Sequence, residues 1–133
     1  MELFQSYKEA HEALRIPGSF QRGTIGSAET GILSLKLTEN PKSLDRVSMD
    51  FERIYYVGIG KKSSQGEPAE DQTLDKQQPF FKSLRTQTPF PVLIKLKPGI
   101  VLYTGNYTVS SIHKKQSQRG FTYYQVHLQR AHN

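Results

Sequence analysis

The stretch GIVLYTGNYTVSSIHKKQSQRGFTYYQVHL, residues 99–128, decides the fold. Two runs rich in tyrosine and β-branched residues flank a short basic loop, which is the pattern of two antiparallel strands joined by a hairpin. The Tyr-Thr-Gly step at residues 103–105 predicts a corner in the first strand, because glycine tolerates backbone angles that other residues avoid. The stretch holds four tyrosines and no acidic residue.

Working outward from this hairpin, the chain shows more strands and few helices. Alternating apolar residues and turn signals predict strands at residues 32–37, 51–60, 90–97, 101–115 and 120–130. Short helices are expected at residues 2–14 and, with a disturbance at Pro79, 72–84. Residues 23–31, 38–46 and 61–71 have the composition of turns and loops. Together these patterns predict a mostly β, α+β fold, and the glycine-rich corners favour a small barrel that is closed or nearly closed.

The length of 133 residues predicts one domain over residues 1–133, with a helical lead-in at 1–18 and the barrel at 20–130. The chain has no cysteine, which excludes disulfides, thiolate metal sites and cysteine nucleophiles. The four histidines lack the spacing of metal ligands, so neither a metal nor a cofactor is expected. No apolar run reaches the ~18–20 residues of a membrane span, and no signal peptide is visible. We therefore expect an intracellular, cytoplasmic protein with no membrane partner.

Charge is distributed unevenly along the chain. The net charge is +6, and residues 1–75 hold 9 Lys/Arg and 12 Asp/Glu, whereas residues 76–133 hold 9 Lys/Arg and no acid. A field of one sign attracts polyanions, and nucleic acid is favoured because basic residues alternate with tyrosines that could stack on bases. A merely basic, soluble domain with tyrosines in its core is the alternative.

Catalytic motifs are incomplete. The segment GIGKKSS at residues 58–64 lacks the GxxxxGK[ST] spacing of a phosphate-binding loop, and no GxSxG nucleophile motif occurs. Asp45 and Asp50 could form a carboxylate pair, but the acid-x-Lys element of a nuclease does not follow them. The sequence therefore predicts no catalytic residues, and a small enzyme is the least favoured class.

The segment YTGNYTVSSIHKKQSQRGFTYYQVHLQR at residues 103–130 resembles the signature of the SRA (SET- and RING-associated, or YDG) domain in the PUA-like superfamily. The matching places are held by Tyr103, Gly105, Tyr107, Val109, Gly120, Phe121, Leu128 and Arg130. Thr104 stands where the family has an acid. Segments 23–37, 53–62, 71–84 and 91–97 are similar to further family segments in the same order, so the resemblance covers about residues 20–130.

This resemblance implies a PUA-like barrel that binds duplex DNA and flips a modified cytosine, 5-methylcytosine or 5-hydroxymethylcytosine, into a pocket. In prokaryotes such domains are recognition modules of modification-dependent restriction enzymes, which implies a nucleoid-associated protein with a nuclease domain or subunit as a possible partner. Tyr56 occupies the place of a tyrosine that sandwiches the base. Asp45 best matches the pocket aspartate that accepts from the cytosine amine, with Asp50 as the fallback. Gly58 would let the backbone approach the base.

The resemblance also implies where the duplex is contacted. One loop would enter the groove with Gln21 and Arg22. A second loop and the basic hairpin turn would meet the duplex through Lys61, Lys62, Ser63, Ser64, Gln65, Lys114, Lys115 and Arg119. The family's first aromatic wall is missing from residues 38–44, so Phe20 or Phe51 is expected to replace it, or the pocket is one-sided.

Other interpretations stay open at this point. A PUA-like module that binds RNA would share the barrel and the basic face but would not need a pocket aspartate. Asp45 could equally be a loop acid that caps a turn, and Tyr56 could be a core tyrosine.

Overall fold

The computed structural model of the protein describes residues 1–38, 40–41 and 43–132. Its strands are β1 (Glu2–Phe4), β2 (Thr24–Ser27), β3 (Gly31–Thr38), β4 (Arg46–Val47), β5 (Arg53–Val57), β6 (Phe90–Lys97), β7 (Ile100–Gln116) and β8 (Thr122–Arg130). Two helices, α1 (Tyr7–Leu14) and α2 (Gln78–Thr86), complete the fold, and a 3₁₀ turn (Asp75–Gln77) leads into α2. The predicted mostly β architecture with two short helices is confirmed.

All eight strands belong to one mixed sheet. Its order is β2-β3-β6-β7-β8-β5-β4, with β1 paired to β7, and only β3 and β6 run parallel. Within the described residues the two end strands, β2 and β4, do not pair, so the sheet is not closed. Strand β4 has two residues and β2 has four with a register shift at Ile25, so neither end offers the long ladder that closure requires.

Strand β7 organises the sheet because it changes partner halfway along. Along one edge of β7, the first half of the strand pairs with β1 and the second half pairs with β8. Gly105 lies at the changeover with φ +128°, and a β-carbon added there would lie 3.3 Å from the Arg130 guanidinium. The corner predicted from the Tyr-Thr-Gly step is therefore a bend inside one continuous strand, and glycine is needed for both its backbone angle and its small size.

The core lies on both faces of the sheet. The larger cluster packs α2 against the sheet around Phe80, Leu35 and Ile54, all fully buried. The smaller cluster packs α1 through Ala10 against Leu93 and its neighbours. Burial of such side chains stabilises the fold by roughly 1.5–3 kcal/mol each, which is why the sheet needs both helices as covers.

Three local predictions need correction. The expected helix at residues 2–14 begins only at Tyr7, because residues 2–4 pair with β7 and the Ser6 hydroxyl caps the helix by accepting from the Glu9 N–H at 3.1 Å. Pro79 lies in the first turn of α2, where its missing N–H needs no partner, so it starts the helix rather than disturbing it. Strands β2 and β4 lie in segments that were expected to be loops.

Candidate nucleic-acid interface

Asp45 is a half-buried carboxylate at the start of the β4–β5 hairpin. Its Oδ1 accepts a 2.7 Å hydrogen bond from the Val57 N–H, at the end of β5. Burial raises the pKa of this carboxyl group above its ordinary value, although the Val57 N–H and the nearby Lys62 charge act in the opposite direction. A cavity of about 300 Å³ opens beside it, lined by Leu37, Asn40, Pro41, Arg46 and Val47. A carboxylate next to such a cavity can accept a hydrogen bond from an entering ligand.

Tyr56 lies on β5, next to the Val57 N–H that binds Asp45. The side chain is buried, and burial together with the Asp45 charge raises the pKa of its hydroxyl group far above the ordinary value. Its hydroxyl lies 3.3–3.4 Å from the carbonyl oxygens of Gly23 and Lys36. The Phe80 ring packs 6.0 Å away, centroid to centroid. Tyr56 thus belongs to the core and at the same time borders the Asp45 carboxylate.

Lys62 completes this group of side chains. Its Nζ lies 5.6 Å from the Tyr56 ring centroid and donates a long hydrogen bond of 3.4 Å to the Val57 carbonyl. Burial lowers the pKa of the ammonium, whereas the Asp45 charge raises it. We refer to Asp45, Tyr56 and Lys62 as the pocket cluster.

Asp50 and Phe51 are not part of the pocket cluster. Asp50 lies fully exposed in the β4–β5 turn, where its Oδ1 accepts from the Ser48 hydroxyl and the Glu52 N–H, and these bonds lower the pKa of its carboxyl group. Phe51 adopts a positive φ of 60°, packs against the core, and its carbonyl accepts a 2.6 Å hydrogen bond from the Tyr107 hydroxyl. Both residues have clear roles in building the turn.

A second aromatic wall is not visible beside Asp45. The described residues that line its cavity carry no aromatic ring. Phe20, the other expected replacement, instead lines a cavity of about 360 Å³ together with Tyr7, Lys36 and Lys95. In the described part of the chain the cavity beside Asp45 therefore has no aromatic wall, and Tyr56 adjoins Asp45 from the core without lining that cavity. Glu39 and Lys42 of the 38–44 segment lie outside the described part.

Gly58 makes room for two buried glutamines. Its N–H donates to the Tyr124 carbonyl, and its carbonyl accepts from the Gln72 amide at 2.9 Å. A β-carbon at Gly58 would lie 2.5 Å from Gln77 Oε1, the oxygen that accepts from the Ile59 N–H. Both backbone groups of Gly58 are therefore engaged within the protein, and the two amides hold the end of β5 in place.

The two loops expected to meet the duplex flank the pocket cluster. Gln21 and Arg22 are exposed in a turn that ends at Gly23, whose carbonyl lies beside the Tyr56 hydroxyl. Residues 61–69 form a small hairpin closed by the hydrogen bond from the Ser63 N–H to the Glu67 carbonyl. Lys61, Ser64 and Gln65 are exposed on this hairpin, whereas the Ser63 hydroxyl accepts from the Gln65 and Glu67 N–H groups.

Lys114, Lys115 and Arg119, which we call the basic hairpin, are exposed near the turn between β7 and β8. Successive side chains of a strand point to opposite faces, so the two lysines leave β7 on different faces. Arg119 lines a cavity of about 280 Å³ together with Ser43, Leu44 and other residues next to Asp45. The basic hairpin therefore borders the loop that carries the pocket carboxylate.

Sequence reasoning placed Lys62 among the loop residues that contact the duplex, and it missed Gln72 and Gln77. No pattern in the sequence indicates that the Lys62 side chain folds back to the carbonyl of Val57, which lies five residues earlier in the chain. The glycines at 58 and 60 were a usable signal, because glycines at alternate positions next to a buried strand often mark close packing by another side chain.

Other kinds of site receive no support from the described residues. In that part of the chain, no three His, Asp or Glu side chains are grouped so that they could hold a metal ion. Among the same residues, no helix is both long and apolar enough to cross a membrane.

The fold is that of a small β domain, and comparison with known families identifies the class of domain. The family model described as the SAD/SRA domain matches residues 2–133. The chain belongs to the SAD/SRA domain family.

Solved structures support the fold assignment. The SRA domain of SUVH5 in complex with hemimethylated CG DNA matches with a TM-score of 0.75 and 22% identity, over 98% of this chain and 86% of that one. The modification-dependent restriction endonuclease TagI matches with a TM-score of 0.75 and 21% identity, over 99% of this chain and 49% of that one. KRYPTONITE in complex with mCHG DNA matches with a TM-score of 0.78 and 18% identity, over 99% and 32%.

The chain thus spans about a third of the KRYPTONITE chain and about half of TagI, but most of the SUVH5 domain. No curated protein sequence matches the chain.

Proposed function

We propose that this chain reads a modified cytosine in duplex DNA, 5-methylcytosine or 5-hydroxymethylcytosine, by taking the flipped base into the pocket cluster. The observation that carries the proposal is the half-buried Asp45 carboxylate, held by the Val57 N–H beside Tyr56 and next to a cavity of about 300 Å³. Oδ1 of this carboxylate accepts from the Val57 N–H, and the two oxygens have further lone pairs that can accept from a base.

The chemistry of cytosine fits these groups. The N4 amine of cytosine is a donor, whereas thymine carries an acceptor at that place, so a carboxylate favours cytosine. Taking a base out of the stack costs a few kcal/mol. Stacking on an aromatic ring returns roughly 1–3 kcal/mol per base, and Tyr56 is the ring next to Asp45. The Gln21–Arg22 turn, which ends beside the Tyr56 hydroxyl, would fill the space that the flipped base leaves.

The basic hairpin and Lys61 would supply contacts to phosphates. Counterion release makes such contacts strong in low salt and insensitive to sequence. The acid-free second part of the chain keeps this surface positive, which supports a duplex partner.

The related structures support the same assignment. SUVH5 SRA forms complexes with hemimethylated CG DNA and with fully hydroxymethylated CG DNA, and TagI is a modification-dependent restriction endonuclease. We infer that this chain serves as the recognition module of a prokaryotic modification-dependent restriction or related system. In that role it works on the nucleoid with a nuclease domain or subunit, and contributes no catalytic residue itself.

Competitive binding at near-physiological salt tests the proposal. The probes are one duplex with a single 5-methylcytosine, the same duplex with 5-hydroxymethylcytosine, the unmodified duplex and a matched RNA. We expect a preference for at least one modified duplex. Equal binding to all three DNA probes would contradict reading by a flipped base, and tighter binding to RNA would favour an RNA-binding module of the same superfamily.

A further inference from the structure

Lys62 is fixed so that its side chain faces inward. The backbone of residue 62 forms an isolated bridge with Pro68, and the Ala69 N–H donates to the Lys61 carbonyl at 2.9 Å. This hairpin aims the Lys62 stem back toward β5, where its Nζ lies over the Tyr56 ring. Its neighbour Lys61 is exposed on the same hairpin.

The Lys62 ammonium is poorly compensated. Among the described residues no carboxylate lies within 4.0 Å of it, and its one hydrogen bond, to the Val57 carbonyl, is 3.4 Å long. An ammonium has three N–H donors. Lys36, another half-buried lysine, donates a 2.7 Å hydrogen bond to the Phe20 carbonyl. Lys62 is only half-buried, so its remaining N–H donors are available to a ligand that supplies an acceptor.

A base that enters the site must meet this ammonium. Phe80 packs against the Tyr56 ring at 6.0 Å, and the Lys62 Nζ lies over the ring at 5.6 Å from its centroid. A base that stacks on Tyr56 therefore displaces the ammonium from the ring. The flexible lysine stem allows Nζ to move to an edge of the base.

The Lys62 ammonium and the Asp45 carboxylate both bind the backbone of Val57, the ammonium through the Val57 carbonyl and the carboxylate through the Val57 N–H. The ammonium therefore lies close to the group that would accept from the N4 amine. On a cytosine ring the substituent at C5 is adjacent to that amine. A methyl group offers no acceptor to an ammonium there. A hydroxymethyl group offers a neutral oxygen, and a carboxyl group offers a negative charge and a charge-assisted hydrogen bond.

We propose that Lys62 is a specificity-determining residue, and that the site takes cytosines with an oxygen-bearing C5 substituent, 5-carboxylcytosine best, in preference to 5-methylcytosine. This inference rests on the function proposed above, because it assumes that the base enters the pocket cluster. It narrows the substrate class from modified cytosine in general to cytosines whose C5 group carries a hydrogen-bond acceptor.

The test uses four duplexes of one sequence, which differ at a single cytosine: unmodified, 5-methyl, 5-hydroxymethyl and 5-carboxyl. Wild type is compared with Lys62→Met, which keeps most of the length of the side chain and removes its charge. Lys61→Met is the matched control, since it removes the same charge from the exposed neighbour. Thermal unfolding of each variant checks folding, and Lys62→Gln replaces Lys62→Met if the latter unfolds.

We expect wild type to bind the 5-carboxyl duplex about tenfold more tightly than the 5-methyl duplex, the size of one charge-assisted hydrogen bond. Lys62→Met should lose this difference and keep, or increase, the preference for 5-methyl over unmodified DNA. Lys61→Met should weaken all four duplexes alike.

Two results would overturn the inference alone: wild type that binds the 5-methyl duplex at least as tightly as the 5-carboxyl duplex, or a Lys62→Met variant that keeps the 5-carboxyl preference. A different result, in which no modified duplex is preferred over the unmodified one, would contradict both the proposed function and this inference.

Discussion

The pocket cluster and the basic hairpin both carry charge, but they hold it in opposite ways. In the pocket cluster, Asp45 and Lys62 are half-buried and their pKa values are displaced by burial. In the basic hairpin, Lys114, Lys115 and Arg119 are exposed to solvent. Burial makes an interaction strong and dependent on exact partners, whereas exposure leaves it weak, screened and tolerant. We therefore propose that the pocket cluster discriminates between bases, whereas the basic hairpin supplies general affinity for the duplex.

The carboxylate of the pocket cluster should give the largest effect. We expect Asp45→Asn to reduce discrimination between modified and unmodified duplexes by about 1–3 kcal/mol, because an amide presents donors to the cytosine amine. The asparagine oxygen can still accept from the Val57 N–H, so the fold should persist. Asp50→Asn is the control, since this exposed turn carboxylate should not affect discrimination. Competitive binding measures both, and equal losses for the two variants would contradict the assignment.

Tyr56 tests stacking separately from hydrogen bonding. Tyr56→Leu should weaken binding of the modified duplex by roughly 1–3 kcal/mol, because it removes the aromatic face. Tyr56→Phe keeps the ring and loses only hydroxyl contacts of 3.3–3.4 Å, so it should retain most of the discrimination. Fluorescence anisotropy with the same duplexes measures the difference. If phenylalanine and leucine bind alike, the ring does not stack on the base.

Gly58 tests whether the end of β5 depends on the buried amides. We expect Gly58→Ala to lower the free energy of unfolding by about 1–3 kcal/mol, because its β-carbon would overlap the Gln77 amide oxygen. Gly23→Ala is the control: its added β-carbon would meet only the Tyr56 hydroxyl, at 3.9 Å. Urea denaturation measures both values. A Gly58→Ala variant as stable as wild type would show that the glutamines can move aside.

The basic hairpin should give a smaller and uniform effect. Each of Lys114→Ala and Lys115→Ala should weaken modified and unmodified duplexes equally and reduce the slope of log K against log salt by about 0.9 per lost phosphate contact. Because the two lysines leave β7 on opposite faces, we expect one variant to have the larger effect. Salt titrations of each single variant measure the slopes. If both slopes are unchanged, the duplex binds another surface of the protein.

The smallest expected effect is the change in stability at acid pH that results from the burial of Asp45. Because burial raises the pKa of this carboxyl group in the folded protein, the folded state binds the proton before the unfolded chain does as the pH falls. Wild type should therefore gain stability relative to Asp45→Asn on acidification from neutral pH through that pKa. Urea denaturation of both proteins at several pH values gives the difference. A relative loss of stability on acidification would mean that the folded pKa is lowered instead.

Much of the fold could be predicted because it depends on local patterns. The alternation in residues 90–97 and the tyrosine-rich runs beside Gly105 predicted β6, β7 and β8 closely. The short strands β1 and β4 were missed because three or two residues carry no periodicity, and their pairing depends on distant partners. Whether the barrel is closed could not be predicted for the same reason. Closure depends on whether the two end strands meet, and no local sequence pattern indicates that.

The candidate site was predictable in part. Asp45 and Tyr56 came from the family resemblance, and the structure brings them together through the Val57 N–H. The inward direction of Lys62 could not be read from the sequence, because it depends on the hairpin at residues 61–69 folding back against β5. The exposure of residues such as Gln21 and Lys114 was easier to predict, because polar turns usually lie on the surface.

One measurement tests the separation of discrimination from affinity most directly: the binding of 5-methylcytosine and unmodified duplexes by wild type across a range of salt concentrations. Phosphate contacts weaken both affinities as salt rises, whereas stacking on Tyr56 and the hydrogen bond to Asp45 are short-range. The account predicts that both dissociation constants rise steeply while their ratio stays constant and favours the modified duplex. A ratio of one at every salt concentration, or a ratio that collapses as salt rises, would contradict it.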